Sequence, residues 1–175
     1  MTPVEPIVHR CTSDELHGEA KEVFENFLAS SGKVPKWLEV MANCEDTMVG
    51  FFTLFKSVMD NAPVSSTLKW KVAYVVSDIN KCEFCVGATV TKLATFNISE
   101  EDLKNIDKTS DEKEALAIEY ARATTKHAYA IEPELMNRMK QTFSDEEIVE
   151  ITAVIGTFNF INRFNDALRI LPDTQ

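Results

Sequence analysis

An all-α fold is what this sequence predicts, and three observations carry the prediction. Apolar residues recur at three- and four-residue spacing over long stretches. Hydroxyl residues followed by acids mark helix starts at four separate places. Only 5 glycines and 6 prolines are spread through the chain, too few for the repeated turns of a β-sandwich. With 175 residues, 45% of them hydrophobic and 26% charged, the chain can bury a core without disulfide or metal staples. The expectation is a single helical-bundle domain over residues 1–175.

The four start signals are Thr12-Ser13-Asp14-Glu15, Ser99-Glu100-Glu101-Asp102, Thr109-Ser110-Asp111-Glu112 and Ser144-Asp145-Glu146-Glu147. In each, a hydroxyl can accept from free backbone N–H groups while the acids sit at the positive end of a helix dipole. The acids therefore read as caps rather than as a cation-binding surface. Behind the first signal, Leu16, Ala20, Val23, Phe24, Phe27 and Leu28 form one amphipathic stripe. After Gly32 and Pro35, a longer series runs through Trp37, Met41, Cys44, Met48, Phe51, Phe52, Phe55 and Met59 until Asn61-Ala62-Pro63 stops it. Cys44 falls inside that stripe and reads as a buried, inert thiol.

Residues 67–77 are ambiguous in isolation, because Val72-Ala73-Tyr74-Val75-Val76 could be a buried strand. No second strand is available to pair with it, so a helix is expected from Ser65 or Ser66 to about Ile79. A short break at 78–81 precedes a helix from Cys82 to about Phe96, with Cys85, Thr89, Leu93 and Phe96 along one face. Further helices are expected from Glu112 to about Lys126, from Glu134 to about Thr142 and from Asp145 to about Leu168. His127 reads as a cation at a helix C-terminus. No constant period indicates tandem repeats.

A formal charge of −10 argues against nucleic-acid binding, which draws on clustered Lys and Arg. The first residues show no basic start followed by an apolar run, and no apolar stretch is long enough to cross a bilayer. A soluble, cytoplasmic protein with no membrane partner is expected. Four cysteines without a signal peptide do not read as a secreted disulfide framework.

The chemistry concentrates at Cys82-Glu83-Phe84-Cys85, two thiols three residues apart at an expected helix start. Helical spacing puts both sulfurs on one face, within reach of a mutual disulfide. The free N–H groups of the helix start and Lys81 favour a thiolate there, while Glu83 and Asp78 oppose it. Three readings of the pair stay open: a redox dithiol, half of a zinc site, or buried packing residues. Zinc lacks its second half, since Cys11 and Cys44 are far apart in sequence and His9, His17 and His127 are scattered, although His9-Arg10-Cys11 could contribute. Neither a metal nor a cofactor is expected. The polar density of Asn159, Asn162, Arg163, Asn165 and Asp166 beside Phe158, Phe160 and Phe164 admits two roles. The groups line a cavity or subunit contact, or they satisfy one another and the helix end, which is the favoured reading.

The stretch from Leu68 through Trp70 and Asn80 to Cys85, together with Asp145–Glu150 and Phe158-Asn159-Phe160-Ile161-Asn162-Arg163, resembles the carboxymuconolactone decarboxylase and alkylhydroperoxidase D (AhpD)-like family. The resemblance covers about residues 34–168. It implies an all-helical, AhpD-like fold that assembles into homotrimers or hexamers. In the family's Cys-x-x-Cys branch it also implies antioxidant, thiol-dependent reduction of peroxides. Cys85 would then match the peroxide-attacking thiol and Cys82 the resolving thiol, with an external thiol reductant reopening the disulfide. The sequence departs from the family's proton relay at three positions. The relay Glu corresponds to Trp70, its His to Thr89, and a His sometimes found between the cysteines to Phe84. None of these can take a proton near neutral pH. Two other functions follow from the same residues: a non-catalytic helical assembly that has lost the relay, and a lyase acting on a lactone acid, for which no base or carboxylate-binding cluster is evident.

Overall fold

Nine α-helices and three short 3₁₀ turns make up residues 5–60 and 63–172, the residues described in this computed structural model. No strand occurs among them. In chain order the helices are α1 (Gly18–Ser31), α2 (Lys36–Met41), α3 (Glu45–Met59), α4 (Ser66–Asn80), α5 (Glu83–Ala94), α6 (Glu100–Lys104), α7 (Glu112–His127), α8 (Pro133–Thr142) and α9 (Asp145–Ala167). The stop expected at Asn61-Ala62 lies outside the described residues. No helix among the described residues is long and apolar enough to cross a membrane.

Side-chain caps explain where four of the helices begin, α4, α6, α7 and α9. Ser99 and Asp102 form a reciprocal capping box at α6, and Ser144 and Glu147 do the same at α9. At α7 the cap is Asp111 rather than Thr109; its carboxylate accepts from Lys113 and Glu114 N–H at 2.9 and 3.0 Å. The Thr12–Glu15 box closes a 3₁₀ turn at Ser13–Glu15, and the α-helix starts only at Gly18.

Contacts group the chain into two compact units: the described residues up to Ser57 with those from Phe164 onward, and Val58–Arg163. In the first unit Phe27, Trp37, Phe51 and Phe52 meet edge to face, with ring centroids 5.3 to 6.3 Å apart. Val23, Phe24, Leu38, Met41 and Met48 are buried in this unit's core. Cys11 N–H donates to Glu39 C=O at 3.0 Å, and Ile7 N–H to Leu168 C=O at 3.1 Å.

The long apolar series expected as one helix from Trp37 to Met59 is two helices, separated at Ala42-Asn43-Cys44. The three-and-four rhythm continues across the break, so periodicity alone could not reveal it. Cys44 is consequently exposed, not buried as the stripe suggested. It stands where an N-cap would, its carbonyl accepting from Met48 N–H at 3.0 Å and its sulfur 2.9 Å from the Thr47 hydroxyl. That hydroxyl, followed by the Thr47 N–H, stabilises the thiolate and lowers the Cys44 pKa.

In the second unit α4 packs against α5 and α7. The ambiguous 67–77 segment is helical, started by Ser65, whose hydroxyl accepts from Leu68 N–H at 3.3 Å. Its buried face carries Val72, Ala73 and Val76, and one turn earlier on the same stripe lies Lys69, only 1% exposed. The Lys69 ammonium donates to Glu150 Oε1 at 2.5 Å and to Val58 C=O at 2.9 Å. Glu150 Oε2 accepts from Val64 N–H at 2.7 Å. A buried ammonium is tolerable only with such pairing and hydrogen bonding.

Candidate functional site

Both thiols of the Cys-x-x-Cys segment sit at a two-residue turn between α4 and α5, and backbone hydrogen bonds set that turn. Lys81 adopts the left-handed conformation, φ 62°, just after the last residue of α4. Its N–H returns to Asp78 C=O at 3.2 Å, while Cys82 N–H returns to Ser77 C=O at 3.1 Å. These are the two bonds of a Schellman C-cap. Cys82 then serves as the N-cap of α5, with its carbonyl accepting from Val86 N–H at 2.9 Å. The chain therefore ends one helix and begins the next on the same cysteine, which leaves Cys85 in the first turn of α5.

The sulfurs of Cys82 and Cys85 lie 2.6 Å apart, with the Cys82 thiol donating. A small movement brings them to disulfide distance. Cys82 is fully buried and Cys85 is 4% exposed, so Cys85 is the more accessible of the two. The amide dipoles at the start of α5 favour negative charge at this turn, and burial opposes it. Lys81 adds little to the balance, because its ammonium pairs with Asp78 at 3.2 Å on the surface.

A polar ladder runs behind the turn. Ser77, fully buried, donates its hydroxyl to Ala73 C=O at 2.8 Å and accepts from Asn162 Nδ2 at 3.1 Å. Asn80 Nδ2 reaches both Asn162 Oδ1 at 2.9 Å and Asn159 Oδ1 at 3.1 Å. Arg163 Nη1 in turn donates to Asn159 Oδ1 at 2.6 Å and to Asn159 C=O at 2.9 Å. Asn159 and Asn162 thus share hydrogen bonds with Asn80 across α4 and α9, which bears out the expectation for these two amides of the stretch. What the sequence did not indicate is that Asn80 is their shared partner, two residues before the first cysteine.

The positions that the family resemblance assigns to a proton relay are occupied by groups without titratable protons. Thr89 is fully buried, and its hydroxyl donates to Val86 C=O of its own helix at 2.9 Å. The Trp70 ring meets Phe158 edge to face at 5.9 Å, with Lys92 Nζ 6.0 Å from its centre. Phe84 is half-buried between the cysteines. Lys69 and Glu150 were not singled out by the sequence reading; the available signal was a lysine in register with Val72, Ala73 and Val76.

For metals, the described residues contain one cluster of three potential ligands, His9, Cys11 and Glu15, with donor atoms within 4.8 Å of one another. The Glu15 carboxylate already accepts from Thr12 N–H at 2.7 Å and Thr12 Oγ1 at 2.9 Å, and lies 2.8 Å from His9 Nε2. Cys11 is buried, and desolvation together with Glu15 and Glu45 raises its pKa, which favours the neutral thiol. Cys82 and Cys85 belong to no such group among the described residues.

No family model matches the sequence. The uncharacterized protein YnjA of Escherichia coli K12 is 31% identical over 115 residues, 62% of this chain. The chain spans 63% of YnjA, less than two thirds of its length. An uncharacterized peroxidase-related protein from Silicibacter sp. TM1040 superposes with a TM-score of 0.86 at 24% identity, covering 99% of this chain and 95% of that one. An AhpD-core, peroxidase-related protein from Ralstonia eutropha JMP134 gives the same TM-score at 17% identity, over 97% and 94% of the two chains. This chain has the AhpD-like fold. The debrominase Bmp8, solved with 2,3,4-tribromopyrrole, shares that AhpD-like fold at a TM-score of 0.81 and 20% identity, over 94% of this chain and 90% of Bmp8. Proteins with the AhpD-like fold thus include at least one enzyme. At these identities the likeness establishes architecture, and chemistry has to be argued from the thiol turn itself.

Proposed function

We propose that the protein is a thiol-dependent oxidoreductase that reduces peroxides through the Cys82–Cys85 dithiol. The observation that carries this reading is the 2.6 Å approach of the two sulfurs at the start of α5. Cys85, the less buried cysteine, attacks the peroxide as thiolate. The O–O bond breaks, Cys85 becomes a sulfenic acid, and the alkoxide leaves with a proton from solvent. The Cys82 thiol then displaces water from that sulfenic acid to form the disulfide. Two equivalents of an external thiol reopen it by exchange, returning both cysteines to the reduced state.

Trp70 and Thr89 provide no general acid, so the first step proceeds without the roughly 10²- to 10⁴-fold contribution that such catalysis supplies. Turnover is therefore slow with weakly activated peroxides and faster where the leaving oxygen is a better leaving group. A homo-oligomer in the cytoplasm is part of the same reading, supported by the family resemblance. The competing reading, a helical assembly without turnover, draws on those same two replacements.

The test is peroxide consumption by pre-reduced protein with dithiothreitol as reductant. Cys85→Ser abolishes turnover, and pre-reduced Cys82→Ser freed of dithiothreitol consumes one equivalent while accumulating a sulfenic acid that dimedone traps. Activity that persists unchanged in both variants overturns the proposal. Absence of turnover with every peroxide, together with slow alkylation of Cys85, supports the non-catalytic reading instead. 2,3,4-Tribromopyrrole, included because of the ligand held by Bmp8, distinguishes peroxide reduction from thiol-driven removal of a halogen.

A further inference from the structure

The second unit carries a groove whose lining differs from the rest of this acidic chain. It is an open groove of about 480 Å³, within the size range of small-molecule sites. The C-terminal part of α7, the 3₁₀ turn at Ala128–Ala130 and the middle of α9 form its walls. Although Asp and Glu outnumber Lys and Arg by 28 to 18 in the sequence, no carboxylate lines the groove, whereas Lys126 and Arg163 both do. Neither cation forms an ion pair among the described residues.

Arg163 is oriented for a particular kind of partner. Its Nη1 is held by the two bonds to Asn159, which fixes the guanidinium plane. The Nε–H and the Nη2 donors form no hydrogen bond with any described residue, and this edge is the fork that grips a carboxylate bidentately. Arg122 and Arg138 each spend two nitrogens on an acid, with Asp107 and Glu119 respectively. Two groove hydroxyls, Thr124 Oγ1 and Thr125 Oγ1, are buried without a protein partner. The remaining lining is apolar or aromatic: Ile155, Phe160, which is 46% exposed, and Tyr129, which is 89% exposed.

We propose that this groove binds a small organic carboxylate, with the carboxylate on the Arg163 fork beside Lys126 and an aromatic or aliphatic body against Phe160, Tyr129 and Ile155. Binding here does not depend on the thiol chemistry proposed above, so the two readings stand or fall separately. The amide chain Asn159–Asn80–Asn162–Ser77 nevertheless links the groove's arginine to the residue whose carbonyl holds Cys82 N–H.

Isothermal titration of the full chain with 1-naphthoate and with its neutral counterpart 1-naphthylmethanol tests the proposal. The acid is expected to bind with 1:1 stoichiometry at least tenfold more tightly than the alcohol. Arg163→Gln weakens the acid roughly tenfold, as for loss of a charge-assisted pair, and leaves the alcohol unchanged. Lys140→Gln, on the exposed side of α8, changes neither. Equal affinity for acid and alcohol, no binding of the acid, or an Arg163→Gln variant that binds like wild type overturns the assignment. A second copy of the chain is the other candidate occupant. Tyr129→Glu is expected to weaken naphthoate binding with the sedimentation coefficient unchanged; a fall in that coefficient makes the groove a subunit contact and overturns the proposal.

Discussion

Replacing Glu150 by Leu removes the carboxylate from the buried Lys69 ammonium. The lysine side chain is 0% exposed and the glutamate 11%, so the pair lies in the interior and its geometry is tight. Without Glu150, the ammonium keeps Val58 C=O among its acceptors, while the carboxylate's other partner, Val64 N–H, loses its acceptor. Breaking a buried ion pair from one side costs about 3–5 kcal/mol, because a charge is left uncompensated in a low-dielectric surround. Lys69→Met falls at the lower end of that range, since Glu150 retains the Val64 N–H and some access to water. The double variant removes both charges, and Val58 C=O and Val64 N–H are then among the groups that must find new partners, at about 1–3 kcal/mol each. Its cost is therefore expected to fall short of the sum of the two single costs by roughly 3 kcal/mol at mid-range. Urea unfolding followed by far-ultraviolet circular dichroism measures all four proteins, and the melting temperature of Glu150→Leu should fall by roughly 10 °C. Single variants within 1 kcal/mol of wild type, or an additive double variant, would refute the reasoning.

Lys81→Gly relieves a left-handed conformation that costs a side-chain-bearing residue about 1–2 kcal/mol, offset by the greater backbone entropy of glycine. A net gain of up to about 1 kcal/mol in urea unfolding is expected, with the rate of disulfide formation between Cys82 and Cys85 unchanged. In a Cys82→Ser/Cys85→Ser background, Cys44 should alkylate with iodoacetamide faster than Cys11, because Thr47 lowers the first thiol's pKa while burial raises the second's. Thr47→Val removes the hydroxyl bond, so the pH midpoint of Cys44 alkylation should move upward; a midpoint that stays in place contradicts the assignment. Glu147 has its pKa lowered first by Lys113 and then by the Ser144 N–H. Its carboxylate therefore stabilises the fold above the usual carboxylate range and loses that contribution as pH falls through its depressed value. Unfolding of Glu147→Gln should accordingly show a shallower loss of stability below about pH 4, whereas a slope equal to wild type would exclude the pairing. Asn162→Leu removes the amide between Ser77 and Asn80, with an expected cost of about 1–3 kcal/mol and a slower closure of the Cys82–Cys85 disulfide after diamide treatment.

The sequence made those parts of the fold legible whose causes are local. The Ser144–Glu147 box places the start of α9, and the lack of any strand to pair with 67–77 decides α4 in favour of a helix. Local spacing also placed both thiols at the first turn of α5. It failed where periodicity runs across a backbone break, as between Met41 and Met48, and Cys44 emerged on the surface as a result. It failed again where partners are remote in the chain. Lys69 and Glu150 are 81 residues apart, and Asn80 and Asn162 are separated by 82. The side chains that would pair with these groups are invisible to any local window, even though the anomalous residues themselves stand out. The closeness of the sulfurs was foreseeable from helical spacing, but not their burial, which depends on tertiary packing.

The two-residue turn at Lys81–Cys82 has a further consequence for how chemistry and scaffold are divided. Its shape is written in amide hydrogen bonds to Ser77 and Asp78, so the register between the thiols and α4 is the same whatever side chains α4 and α5 carry further along. The dithiol and its would-be proton donors are therefore separable modules: positions 70 and 89 can drift without loosening the cysteines. Reinstating a donor is less symmetrical. Trp70 is half-buried and an acid there could still meet water, whereas Thr89 is fully enclosed, and an imidazole at that position must displace its neighbours at a cost of about 1–3 kcal/mol. A donor at position 70 can thus be built in from the half-buried side of α4, whereas one at position 89 has to be accommodated in the core.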